Sequence, residues 1–188
     1  VFRSSKSRLL ARVKIADLAA GIVDGVEQVS MPGDLQGKPV AHASIDWNTN
    51  EIAAIMTDGK YFTHGSTVVS QIKDPVCLSW QAIRRVFPDR YLLCGMTVQS
   101  NKVRNHCLLV DSLDGRQPID RKDFDVIYDN HKSHFNATGD ILEVRRSTTR
   151  VIMVTVSSYW YLNVMAIDRQ SITAIGSMIY DGSIGLTS

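Results

Sequence analysis

The chain has no apolar run approaching the roughly 18 to 20 residues that a helix needs to cross a bilayer, and no secretory leader stands at its start. Cysteine is scarce: only Cys77, Cys94 and Cys107 occur, without a CxxC pair. A zinc site needs close pairs of ligands and a disulfide framework an even, denser set, so both are excluded as organising principles. Cys77 and Cys94 lie in the apolar runs Val76-Cys77-Leu78 and Leu92-Leu93-Cys94, where a free thiol behaves as a small core residue. Three reduced thiols are therefore expected, and with them an intracellular protein, cytoplasmic or nuclear. The triplet Asn136-Ala137-Thr138 matches a glycosylation sequon, but such triplets are too common to outweigh the cysteines. One-sided charge is lacking too. Against 21 Lys and Arg stand 19 Asp and Glu, a formal net charge of +2, so no general basic field points to nucleic acid or an anionic membrane.

Local catalytic signatures are also missing. Neither G-x-x-x-x-G-K nor G-x-G-x-x-G occurs, so no glycine loop is set to cradle phosphate, and no G-x-S-x-G elbow presents a serine. His131-Lys132-Ser133-His134, preceded by Asp129 and Asn130, is the one local gathering of metal-ligand types. It reads as a loop without a third ligand at matching spacing, and a solvated loop is the expectation. No catalytic, cofactor-binding or metal-ligating residue is assigned.

What the chain does contain is strands. At 44% hydrophobic and 21% charged it has the composition of a folded globular protein. No segment keeps a helical period; Ala16 to Val29 comes nearest, with Leu18, Ile22, Val26 and Val29 on one face, but Gly21 and Gly25 interrupt it. Short β-branched and aromatic runs alternate instead with turn residues. Val40 to Asp46, Glu51 to Met56, Lys60 to His64 and Thr67 to Ile72 read as four strands, with Asp58-Gly59 as the hairpin turn between the second and third. Pro75 to Trp80, Arg90 to Met96 and His106 to Asp111 belong to a next unit, with Gln99 to Asn105 as a polar loop and a short helical turn between Trp80 and Phe87. Ile141 to Val144, Arg150 to Val156, Trp160 to Ile167 and Ile172 to Ile179 make a third. The Met31-Pro32-Gly33-Asp34 and Gly37-Lys38-Pro39 signals mark a boundary, so the chain divides at 1–37 (the end of a preceding unit or a lead-in), 38–73, 74–122 and 123–188. It opens on Val1-Phe2-Arg3, in what reads as mid-strand, and is expected to be a piece of a longer protein.

Two strands end in an apolar pair followed by Asp: Leu108-Leu109-Val110-Asp111 and Val164-Met165-Ala166-Ile167-Asp168. They lie about one propeller-blade length apart, near the roughly 40 to 50 residues of WD40 and kelch units. Strand, polar turn, strand closed by apolar-Asp, then a link to the next unit: over residues 38 to 181 this resembles a divergent WD40-type β-propeller. Val110-Asp111 and Ile167-Asp168 stand where the family's Trp-Asp closes a strand. The sequence departs from the family in lacking Trp there and in lacking the Gly-His that opens each unit. The resemblance implies an all-β fold, a propeller segment of about three to four four-stranded antiparallel blades. A β-sandwich is the alternative, because its turn spacing is the same. A closed ring has typically four to eight blades, so the missing part of the chain, or another chain, is expected to complete it.

The candidate partner-binding residues are Arg145, Arg146 and Arg150 in the compact basic segment Arg145-Arg146-Ser147-Thr148-Thr149-Arg150, the smaller pair Arg84 and Arg85, and Trp160 within Tyr159-Trp160-Tyr161. Guanidinium groups on a hairpin tip suit a phosphate or an acidic partner; equally, they discourage edge pairing. The expected function is non-catalytic: a scaffold that binds other protein subunits in a multiprotein complex, without a cofactor. One alternative is a nucleic-acid-associated subunit contacting phosphates through the five arginines. Another is a propeller enzyme with Asp46, Asp129, His131 and His134 around an axial channel.

Overall fold

The computed structural model describes residues 2–3, 10–12, 27–46, 49–64, 66, 68–72, 74–100, 102–111, 117–125, 140–156 and 161–179. Among these the chain is all-β, apart from one 3-10 turn at Gly33–Leu35. Strands β1 (Phe2–Arg3), β2 (Leu10–Arg12) and β3 (Glu27–Gln28) form a small antiparallel sheet. Three four-stranded antiparallel sheets follow, each a simple up-and-down meander. The first comprises β4 (Val40–Asp46), β5 (Glu51–Met56), β6 (Lys60–Thr63) and β7 (Ser70–Gln71). The second comprises β8 (Ser79–Phe87), β9 (Arg90–Gln99), β10 (Lys102–Asp111) and β11 (Pro118–Asp125). The third comprises β12 (Asp140–Arg146), β13 (Val151–Val156), β14 (Tyr161–Ile167) and β15 (Ile172–Ile179).

Alternation along each strand sends neighbouring side chains to opposite faces, and the second sheet uses both. Ile83, Tyr91, Leu93, Leu108 and Val110 pack with Ala53, Ile55 and Tyr61 of the first sheet. Ala82, Leu92, Cys94, Cys107 and Leu109 pack with Ile141, Val151, Met153, Met165 and Ile167 of the third. The other face of the first sheet carries Val40, Ile52, Ala54 and Phe62 and is covered by Val29 and Leu35. The sheets thus stack in chain order. The leading strands β4 and β8, and β8 and β12, lie side by side, and the trailing strands β11 and β15 also touch.

Several local expectations change. The stretch from Trp80 to Phe87 is no helical turn but most of the nine-residue strand β8, because both of its faces are covered by neighbouring sheets. Gln99 to Asn105 is not a loop either. β9 runs to Gln99 and β10 begins at Lys102 directly opposite it, and Ser100 takes φ 51°; the polar residues there belong to a hairpin end. The fourth strand of the first sheet shrinks to Ser70–Gln71. Of Ala16 to Val29, only the final residues are described, and Glu27–Gln28 is strand. Arg145 and Arg146 lie in β12, so the hairpin tip is only Ser147 to Arg150, closed by the Ser147 amide donating to the Arg150 carbonyl at 2.8 Å.

The three-thiol reading is corrected as well. Cys94 on β9 and Cys107 on β10 stand directly opposite each other, with Cα atoms 4.2 Å apart, and form a disulfide; Cys77 remains a free thiol. Neighbouring strands bring such a pair within bonding reach when it occupies a narrow, non-hydrogen-bonded site. Among the described residues no helix is long and apolar enough to cross a membrane.

Candidate functional site

The two arginine pairs occupy the same place in consecutive sheets. Arg84 stands opposite Leu92 and Arg85 opposite Tyr91; Arg145 stands opposite Ile152 and Arg146 opposite Val151. Adjacent strand residues point to opposite faces, so each pair reaches both ways. Arg84 reaches forward, its Nη1 donating to the Ile141 carbonyl on β12 at 3.4 Å. Arg85 reaches back to the Glu51 carboxylate at the start of β5 and also donates to the Pro88 carbonyl at 2.8 Å. Arg146 likewise reaches back, to the Val86 carbonyl on β8 at 2.6 Å, while its Nε and Nη2 grip both oxygens of Glu143 at 2.8 and 2.6 Å. That bidentate pair holds the Arg146 guanidinium even more firmly protonated than usual, its Glu143 hydrogen bonds outweighing burial. Arg145 is exposed and has no partner among the described residues.

Between the leading strands lies an open cleft of about 300 Å³ lined by Ile45, Asp46, Arg84, Arg85, Glu143, Val144 and Arg146. The structure therefore brings together three of the six residues singled out for partner binding. It does not bring in Arg150, which sits at the β12–β13 tip with an exposed side chain, or Arg145, on the opposite face of β12 from Arg146. Trp160 lies outside the described residues, as do Asp129, His131 and His134. Because Glu51 and Glu143 neutralise Arg85 and Arg146, the cleft offers little net field for a phosphate.

A second group was not visible as a motif. His106 on β10 is 1% exposed, with Nδ1 2.5 Å from Asp123 Oδ1 on β11 and Nε2 3.1 Å from Asp74 Oδ2 in the loop before β8. Carboxylate oxygens only accept, so both contacts are satisfied when each ring nitrogen carries a proton. Burial alone would push the Asp74 carboxyl up. The Val76 amide, the His106 hydrogen bond and charge, and Arg121 together outweigh it and hold the group below the usual range. A histidine oriented by a carboxylate is the core of many general-base devices, but such a base keeps one nitrogen for the substrate. Here both are taken and the ring is closed to solvent. The group pins the 74–78 loop to the second sheet. The equivalent position on β14 is Asn163, whose Oδ1 accepts from Ser177 Oγ on β15 at 2.7 Å, so each of these sheets joins its third and fourth strands through a buried polar residue upstream of the closing Asp. Those closing residues are also used: Asp111 accepts from Arg90 at 3.1 Å, and Asp168 caps its turn through the Gln170 and Ser171 amides at 2.8 and 2.7 Å.

An outer groove of about 380 Å³ is lined by Asp58, Asp74, Cys77, Leu78 and Trp80 among others. Burial pushes the Cys77 thiol up to about 12, which keeps it protonated and unreactive at neutral pH. Among the described residues no three His, Cys, Asp or Glu side chains gather as metal ligands would. No protein-family model and no curated protein matches the chain.

Proposed function

We propose that the chain is a β-propeller segment of WD40-like construction that acts as a non-catalytic scaffold, binding other protein subunits within a larger assembly. The supporting observation is that its chemistry-bearing side chains are spent on joining sheets. Arg84, Arg85 and Arg146 cross between consecutive sheets, and His106 with Asp74 and Asp123 locks a loop to its strands. Three successive meanders, with the leading strands β4, β8 and β12 side by side and β11 against β15, support a reading as blades stacked around an axis. What the described surface leaves open is apolar strand surface and scattered arginines, which suits protein contact. The nucleic-acid alternative loses three of its five arginines to internal partners, keeping Arg145 and Arg150.

The test is affinity purification of the protein from its own cells with low-salt and high-salt washes, followed by quantitative mass spectrometry. Protein subunits retained in fixed stoichiometry at high salt support the scaffold. Nucleic acid lost with salt supports the alternative. A protein recovered alone sinks both.

A further inference from the structure

The outer groove between the first two sheets differs from the cleft at the leading strands, where Arg85 and Arg146 already hold carboxylates. Its inner wall is Trp80 on β8, a residue only 3% exposed. An indole N–H can only donate, and when buried it usually finds an acceptor. Trp80 Nε1 donates to no group among the described residues and is not shut off from solvent; the opening that its ring lines is this groove. The ring is fixed in place. The Trp80 amide donates to the Thr57 carbonyl at 3.3 Å, and the ring centroid lies 6.1 Å from that of His106. Gly59, with φ 85°, leaves the N–H its room, because a Cβ there would meet Nε1 at 2.8 Å. Beside the indole, Pro75 is exposed and Leu78 is 63% exposed, both near the His106 anchor of the 74–78 loop. The charged residues of the lining are Asp58 and Asp74, both acidic. His106 meets the Asp74 charge. Asp58 has the Lys60 ammonium 3.8 Å away and half of its side chain exposed, an arrangement worth little, so its charge stays open to a partner.

We infer that this groove docks an extended segment of a partner subunit in which an apolar residue stands next to a basic one. The apolar side chain lies against Pro75 and Leu78, and its backbone carbonyl accepts from Trp80 Nε1. The guanidinium or ammonium of its neighbour meets Asp58. An apolar recess with a few placed polar groups is the usual form of a recognition site, and about 380 Å³ is at the small end of the range, a match for a short peptide segment rather than a folded surface. A carbonyl with a cation beside it complements an indole donor beside a carboxylate, whereas an acidic segment would meet Asp58 with like charge. The inference rests on the scaffold reading and names the kind of segment that the scaffold holds.

Proton–nitrogen correlation spectra of the 188-residue chain, titrated with the peptide acetyl-Arg-Leu-Arg-amide, test it. An arginine on either side of the leucine makes the probe independent of chain direction. Trp47→Phe and Trp160→Phe identify the Trp80 indole resonance by elimination. That resonance is expected to move downfield with an apparent Kd of about 1 mM or tighter. Asp58→Asn, which keeps an oxygen to accept from the Lys60 amide at 3.1 Å, weakens binding at least about 5-fold. Leu78→Ser weakens it several-fold, and acetyl-Glu-Leu-Glu-amide binds at least about 10-fold more weakly. Circular dichroism of each variant verifies the fold. An indole resonance that stays still at about 10 mM peptide overturns the inference. So does binding indifferent to both substitutions, or to the sign of the peptide charge. That failure leaves the scaffold reading standing where affinity purification retains subunits at high salt; peptide binding by a protein recovered alone sinks the scaffold reading and not the groove.

Discussion

His106 Nδ1 lies 2.5 Å from Asp123 Oδ1, two residues opposite each other in the β10–β11 ladder. With Asp74 on the other ring nitrogen, the imidazole holds two carboxylates that would otherwise repel, one of them 3% exposed. His106→Ala leaves the Asp74 charge buried beside an empty space, and the expected loss of stability is about 3 kcal/mol or more. Asp123→Asn costs less, because Asp123 is a quarter exposed and an amide oxygen still accepts. Urea midpoints in that order check the arrangement; equal, small effects would refute it.

The depressed Asp74 carboxyl sets a pH dependence. A group whose folded pKa lies below its unfolded value, about 3.9 for Asp, contributes stability that is complete above the unfolded value. That contribution is lost as pH falls through the folded one. The urea midpoint is therefore expected to hold level from neutral pH to about 5 and to drop below about 4. Asp74→Asn should lower the plateau and flatten the drop. An unchanged acid limb in the variant would assign the loss to other carboxylates.

Thiol counting separates the disulfide from three free cysteines. In denaturant without reductant, the chain should react with one equivalent of a thiol reagent, from Cys77, and after reduction with three. In native buffer even Cys77 should react slowly, since burial keeps it protonated. Three equivalents without reductant would show Cys94 and Cys107 unbonded.

Two glycines of the sheets should respond oppositely to a methyl group. At Gly95 an added Cβ would meet the Ser79 carbonyl at 2.5 Å and Cys77 Sγ at 2.6 Å, and strand backbone cannot give way cheaply. Gly95→Ala is expected to cost about 1 to 3 kcal/mol. At Gly176 nothing lies within 4 Å, and Gly176→Ala should be neutral or stabilising by about 0.5 kcal/mol. Thermal melts of the two variants decide.

Adjacent arginines should also differ. Arg146→Ala removes the bonds to Val86 and strands Glu143, with an expected cost of roughly 1 to 3 kcal/mol. Arg145→Ala, at an exposed side chain, should fall within about 0.5 kcal/mol measured at low concentration. A comparable loss at both positions would contradict the partner assignment.

The amino-acid sequence by itself determined the all-β class and most of the strands, because period-2 patterning, β-branched runs and the Asp58-Gly59 turn act over a few neighbouring residues. It also determined which arginines come in pairs, but not what they hold. Sequence distance hides such contacts: Glu51 and Arg85, and Val86 and Arg146, meet only when separate sheets stack, and His106 meets Asp74 only when the 74–78 loop folds onto the second sheet. The same gap explains the cysteines, which read as core thiols one at a time and become a cross-strand pair once β9 and β10 are in register. Gln99 to Asn105 misled because polar residues at a hairpin end look like a loop when the pairing that extends the strands is unknown. Tertiary structure alone decided which apolar face of each sheet is covered. Burial depends on the sheet that arrives on top, so of Cys94 and Val154, alike in strand and register, the first is fully buried in a core and the second only half-buried.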